Sequence, residues 1–296
     1  MGSWVETVGP VFSVALPVFS IILLGWWLAG RSRMDLPTLS NLALLVTSPA
    51  LMFSVLAGAE VDYQRWGVLV AGTLWIVLGT AALAALYLWF TGTSRRGLLL
   101  AAIFWNAGNL TLPLARLAYG DAGLEAAAVI FVTVAILTST VGLWIAKGEN
   151  GFSEIVRMPL VYGSVGGLAL AISGQTLPRF VMEPIEMLGA MAIPLLLINL
   201  GMHLRSLVLR EIRHTVVVVA IRVVGGATCA VLFIALLGVS GVERKVLLLA
   251  SIMPAAVINV IIAQRYSTDP SLVASAVALG TLVSLVTIPA MLYFAG

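Results

Sequence analysis

Two short segments carry the side chains best suited to chemistry. In the first, Trp105-Asn106-Ala107-Gly108-Asn109-Leu110-Thr111-Leu112-Pro113 sets two carboxamides, a hydroxyl, a glycine and a proline inside an otherwise apolar stretch. In the second, Met253-Pro254-Ala255-Ala256-Val257-Ile258-Asn259 repeats the pairing of proline with asparagine. These groups offer helix interruption and hydrogen bonding rather than nucleophilic or acid-base chemistry. Proline removes a backbone donor and glycine weakens a helix. Where a helix is interrupted, its free N–H groups and the positive end of its dipole become available to an anion such as a carboxylate, with no need for a buried lysine. An asparagine in an apolar helix often merely holds neighbours together, so Asn106 alone would say little. The recurrence of the pattern favours a binding role for Asn106, Asn109, Thr111, Pro113, Pro254, Ala255 and Asn259.

The elements that must position these groups are apolar helices. The 296 residues are 61% hydrophobic and only 10% charged, with a mean hydropathy of +1.10, against about 25% charged residues in a soluble globule. A membrane-spanning helix needs roughly 20 apolar residues, and ten candidate spans are found, at about 9–30, 37–58, 67–90, 97–119, 123–146, 159–174, 181–203, 214–238, 245–265 and 271–295. No room remains for a soluble catalytic domain. The first stretch has Glu6 and no preceding Lys or Arg, so it is expected to be the first span rather than a cleaved leader. The pI of 9.3 reflects basic residues lying between apolar runs, which excludes nucleic acid as the expected partner. The lone cysteine, Cys229, excludes an internal disulfide.

Ten basic residues follow odd-numbered spans, among them Arg31, Arg33, Arg95, Lys147, Arg157 and Arg265, against four on the other side, Arg65, Arg179, Arg244 and Lys245. The positive-inside bias therefore puts the odd loops in the cytoplasm and both termini outside. The eight tryptophans, from Trp4 to Trp144, fall in the first half and are read as interfacial anchors and packing.

Displacing the sequence by 148 residues sets Arg96-Gly97-Leu98-Leu99-Leu100-Ala101-Ala102 over Arg244-Lys245-Val246-Leu247-Leu248-Leu249-Ala250, so the fourth and ninth spans correspond. At a slightly smaller offset Ser48-Pro49 falls over Ile193-Pro194 in the second and seventh. Five spans per half is an odd number, so the second copy enters the membrane from the opposite face, as in many secondary transporters. The expected organisation is residues 1–147 as one five-helix repeat, a short cytoplasmic loop at 148–158, and residues 159–296 as the inverted second repeat.

Asn106 to Leu114, Met253-Pro254 through Gln264, Arg265 and Tyr266 into Asp269-Pro270, together with Pro49, Asn199-Leu200-Gly201 and Arg222, carry a resemblance to the auxin efflux carrier family over nearly the whole length. That family is related to the plant PIN-formed carriers and to the bile acid sodium symporters. The resemblance implies an all-α membrane protein with ten transmembrane helices and crossed, broken fourth and ninth spans, bile acid symporter/NhaA-like. It further implies an elevator-like carrier of small organic anions in which spans 1, 2, 6 and 7 form a dimerising scaffold and spans 3–5 and 8–10 move. The substrate carboxylate would sit against Asn106. Two departures are evident: the third span lacks the charged residues of plant members, and their long regulatory loop is reduced here to about a dozen residues.

Arg222, about eight residues into the eighth span, must have a partner or a route to water. Snorkelling, or packing against the carbonyl ends of a broken helix, is favoured over a role as substrate counter-ion. Arg116 either faces the same cavity as Pro113 or reaches the external headgroups. Glu125, Glu183 and Glu186 suit helix starts, His203 and His214 are read as solvent-facing loop residues, and Gly163 and Gly167 have the spacing of a close helix contact.

The function expected is transport of a small carboxylate, malate- or malonate-like or auxin-like, from a prokaryotic plasma membrane, with no cofactor and no metal. Proton coupling or uniport is favoured over sodium symport, because the crossover offers amides and hydroxyls without a carboxylate. No HExxH helix, paired-aspartate cluster or intramembrane Ser/His pair supports an enzyme. A carrier fold that binds a ligand as a sensor, without turnover, is the remaining alternative.

Overall fold

The computed structural model describes residues 2–31, 34–93, 95–148 and 157–295, with side chains essentially from residue 11 onward. The side chains of Trp4 and Glu6, all of Arg33, and residues 149–156 of the expected cytoplasmic loop lie outside the described residues. Eleven helical stretches follow: α1 (Gly2–Arg31), α2 (Leu36–Ala57), α3 (Tyr63–Thr91), α4 (Arg96–Ile103), α5 (Ala107–Lys147), α6 (Pro159–Ser173), α7 (Arg179–Ser206), α8 (Ile212–Leu237), α9 (Gly241–Ser251), α10 (Val257–Arg265) and α11 (Pro270–Ala295). Seven of them, α1, α2, α3, α5, α7, α8 and α11, are long and apolar enough to cross a membrane among the described residues. This is an all-helical integral membrane protein.

Local sequence explains the ends. Asp35 caps α2 by accepting from the Thr38 amide at 3.0 Å, and Asp62 caps α3 by accepting from Gln64 and Arg65 amides at 2.9 and 3.1 Å, leaving fewer orphan donors at each start. The expected fourth and fifth spans meet inside α5 at Gly120, where φ is 66° and ψ is −151°. Only glycine adopts that backbone freely, so two helical segments meet there at a kink without an intervening loop. The expected fourth and ninth spans are each split: α4 and α9 stop at Ile103 and Ser251, and α5 and α10 start at Ala107 and Val257. At 1.5 Å per residue, α4, α9 and α10, of 8, 11 and 9 residues, each reach about half-way through a bilayer.

Two packed groups flank these half-helices. In the first, α1 lies against α7 at Gly25 and Gly201, where added β-carbons would collide with Ile198 and Ile22 backbone. Likewise α6 lies against α2, where a β-carbon at Gly167 would sit 2.5 Å from the Phe53 carbonyl. The Gly163/Gly167 spacing thus serves a contact within the chain. Ser40 donates to Asn199 Oδ1 at 3.1 Å, tying α2 to α7. In the second group α3 packs on α8, with Trp75 Nε1 donating to the Cys229 carbonyl at 3.0 Å, and α11 covers α4, α8 and α10. His214, expected in solvent, instead meets the Tyr87 hydroxyl at 3.1 Å between these elements. Apolar side chains exposed on the outer faces, such as Leu16, Leu23, Val224, Val231 and Leu236, are what a lipid-facing surface requires.

Candidate functional site

The two interruptions touch. Backbone turns extended at Phe104 (φ −98°, ψ 115°) and at Ala256 (φ −71°, ψ 142°). The Asn106 amide then donates to the Pro254 carbonyl at 2.8 Å, and the Ala256 amide to the Phe104 carbonyl at 3.0 Å. Trp105 and Ala255 form a single antiparallel bridge. Irregular backbone at this depth persists because each break satisfies the other.

On one side of the bridge lie two helix carbonyl ends. Arg222, 1% exposed, sits in a widened turn of α8 at residues 221–225, a local geometry frequent at functional positions. Its Nη1 donates to the Ala102 and Ile103 carbonyls at 3.2 and 2.8 Å, closing α4, and Nη2 donates to the Ser251 carbonyl at 3.1 Å, closing α9. Its guanidinium carbon stands 4.9 Å from the Trp105 ring centroid. Asn259, fully buried, donates through Nδ2 to the Leu100 and Phe104 carbonyls at 3.1 and 2.8 Å. The crevice bounded by Arg222, Pro254, Ala255 and Gly280 is too narrow to admit a water molecule.

On the other side α5 begins. Asn106 is its cap: Oδ1 accepts from the Asn109 amide at 3.0 Å, and the Asn106 carbonyl accepts from the Thr111 hydroxyl at 3.2 Å. Here a cavity of about 480 Å³ opens, within the usual range for a small-molecule site. Its walls include Leu44, Ser48, Trp105, Asn106, Gly108, Asn109, Phe131, Thr138, Ser139, Leu196, Ala256 and Ile258, with Arg157 and Arg265 completing it. Three buried polar atoms of these lining residues have no partner: Ser48 Oγ, Trp105 Nε1 and Asn106 Nδ2. All three can donate, and a buried donor left unmade costs about 1–3 kcal/mol. Among the described residues that line the cavity none is acidic. Two arginines and three idle donors match one ligand chemistry, an anion with several acceptor oxygens.

Of the nine residues expected to bind, Asn106 and Asn109 line this cavity; Thr111 and Pro113 are buried behind it. Pro254 and Ala255 form the bridge, and Asn259 and Arg222 close the carbonyl side. Arg222 is therefore placed as a clamp on helix ends, and its role as a direct counter-ion in this cavity is corrected. Arg116 is also displaced from the expected cavity. Ten residues of helix, about 15 Å, carry it away from Asn106 towards Gly120. There it pairs with Asp121 and lines a second cavity of about 570 Å³ with Glu60, Arg65, Glu125 and Glu186. In that cavity Glu125 accepts from Trp66 Nε1 at 2.9 Å.

Among the lining residues that were not expected at the site are four donors suited to an anion: Ser48, Trp105, Arg157 and Arg265. Ser48 was visible only as a repeat match, Arg157 only as an orientation charge, and Arg265 as an orientation charge within the resembling segment. Trp105, read as an anchor, is 1% exposed at the crossover; its position in mid-span rather than at a span end was the available signal.

Residues 151–292 match a family profile described as membrane transport protein. Two archaeal relatives are each named an uncharacterized transporter. That of Methanothermobacter thermautotrophicus is 26% identical over 93% of this chain and 95% of its own length. That of Methanocaldococcus jannaschii is 26% identical over 65% of this chain and 66% of its own length. With its apolar helices and this match over residues 151–292, the chain is similar to membrane transport proteins.

Proposed function

We propose that this protein carries small organic anions, carboxylates of malate-, malonate- or auxin-like size, by elevator-type alternating access across a prokaryotic plasma membrane. The observation that carries the reading is a trio of buried, unpartnered donors, Ser48 Oγ, Trp105 Nε1 and Asn106 Nδ2, on residues that line a cavity whose charged lining residues are Arg157 and Arg265. A carboxylate entering there gains charge-assisted hydrogen bonds and the positive end of α5.

In this reading the chain crosses ten times, as two inverted five-helix repeats, residues 1–147 and 159–296, joined through the cytoplasmic loop at 148–158. The scaffold is α1, α2, α6 and α7, the part through which two copies pair, and the remaining helices move as the transport domain. Support comes from the two packed groups and from the cavity between them: Leu44, Ser48, Pro159 and Leu196 come from one group, Trp105, Asn106, Phe131 and Ile258 from the other. With both termini outside, Arg157 and Arg265 put the cavity mouth in the cytoplasm. Transport is by uniport or with protons.

Uptake of radiolabelled malate, malonate and indole-3-acetate into proteoliposomes tests this directly. The intact protein accumulates at least one of them above empty vesicles, and Asn106→Ala lowers that uptake by about 10- to 100-fold, the worth of one lost charge-assisted hydrogen bond. Equal uptake by both proteins removes Asn106 from the mechanism; tight binding without any flux would make the protein a sensor instead.

A further inference from the structure

Arg222 is the one charged side chain that is buried among the described residues, and it does not line the proposed anion cavity. Each helix carboxyl end carries roughly half a unit of negative charge. The ends of α4 and α9 converge on one point, so the carbonyl side of the crossover presents about one full negative charge through the Ala102, Ile103 and Ser251 oxygens. Converging carbonyl ends of broken helices are the environment in which membrane carriers coordinate alkali cations.

Here that place is taken. The guanidinium supplies one positive charge and reaches all three oxygens, and among the described residues no carboxylate forms an ion pair with it. Surrounding residues are shaped around it. A β-carbon at Gly226 would collide with both Arg222 Nη2 and the Ser251 carbonyl, so glycine one turn along α8 is what lets the guanidinium and the end of α9 meet. Trp105 lies flat enough for a cation–π contact at 4.9 Å, and the crevice beside the charge is too narrow to admit a water molecule.

We propose that Arg222 is a tethered cation: its guanidinium occupies an alkali-ion seat built from the carbonyl ends of α4 and α9, so that no free sodium ion binds at the crossover. The seat is a property of the fold and does not depend on turnover. Its consequence, that carriage of the anion requires no sodium at this position, rests on the transport reading above.

The test is the melting of purified full-length protein, followed by tryptophan fluorescence, for the wild type, Arg222→Ala, Arg222→Gln and Arg222→Lys. Sodium chloride is titrated against choline chloride at constant ionic strength, and methylguanidinium chloride is titrated separately. Wild type and Arg222→Lys, whose charge stays tethered, are expected to show no sodium-specific shift. Arg222→Ala is expected to melt several degrees lower and to recover saturably with methylguanidinium or sodium but not with choline. A saturable sodium-specific rise in the wild type overturns the proposal, as does an alanine variant that responds to neither cation. If Arg222→Ala does not yield folded protein, Arg222→Gln decides: a sodium- or methylguanidinium-specific rise supports the seat and its absence overturns it. In proteoliposomes, wild-type uptake should be the same in sodium and in choline; no uptake of any acid would count against the carrier reading alone, leaving the melting result to decide the seat.

Discussion

The two sides of the crossover are built from the same parts and end in opposite states. Each presents the ends of two half-helices at mid-membrane, yet the carbonyl side is closed by Arg222 and Asn259 with no room for a water molecule, whereas the amide side opens onto about 480 Å³ with three donors idle. A buried group without a partner is a burden to the fold alone. On the closed side the helix carbonyls find donors, with Arg222 Nε and Asn259 Oδ1 left over, whereas on the open side the three unpartnered atoms are all donors beside the proposed ligand cavity. The proposed preference for anions rests on that asymmetry: with the negative helix ends bonded internally to Arg222, the donors left over at the crossover suit negative charge.

The sharpest way to break this contrast is to empty the closed side. Arg222→Met strips three buried carbonyls of their donors and is expected to destabilise the protein by about 3–5 kcal/mol, the usual penalty for removing one member of a buried charge interaction; a melting temperature within a degree of wild type would deny the clamp. Asn259→Ala, which frees the Leu100 and Phe104 carbonyls, should cost less, about 1–3 kcal/mol, in the same melt. Trp105→Phe sharpens the contrast from the open side. It keeps the ring under Arg222 while deleting the indole donor, so ligand affinity should fall about tenfold, or 1.4 kcal/mol, with melting nearly unchanged. A loss of stability without loss of affinity would move Trp105 to the closed side.

The smallest effect is expected far from the crossover, where Arg95 and Ser271 both bond Glu211 at the start of α8. Hydrogen bonding from Arg95 holds the Glu211 carboxyl below the usual carboxylate range, against a partial desolvation that pushes it up. A lowered folded-state value means that the contribution is present above the unfolded value of about 4.3 and is lost as pH falls through the lowered one. At pH 7 Glu211→Gln should cost no more than about 1 kcal/mol, since the pair is partly exposed and screened. The melting difference from wild type should vanish in strong acid; a difference that grew on acidification would reverse the assignment.

Much of this was legible in the residues. Apolar runs placed the helices, Gly120 and Pro159 fell at real boundaries, and the Asn106 and Pro254 segments were recognisable as breaks because proline, glycine and carboxamides are costly in a lipid-buried helix. The composition of the site was less legible. Nothing local distinguishes Ser48 from any other serine in an apolar stretch, and Arg157 and Arg265 carry the same orientation signal as loop arginines that line no cavity. Arg222 left two readings open, because the oxygens that claim it lie 29 and about 120 residues away.

By itself the sequence determined that this chain lives in a membrane, where its helices break, and that the breaks come in a related pair, because transfer free energy and helix propensity act residue by residue along the chain. Only the tertiary structure decided which ends of the broken helices face each other, that one arginine seals two of them, and that Ser48, Trp105 and Asn106 share a cavity. Those outcomes depend on how segments over a hundred residues apart come to lie across one another, and no local property of either segment encodes the crossing.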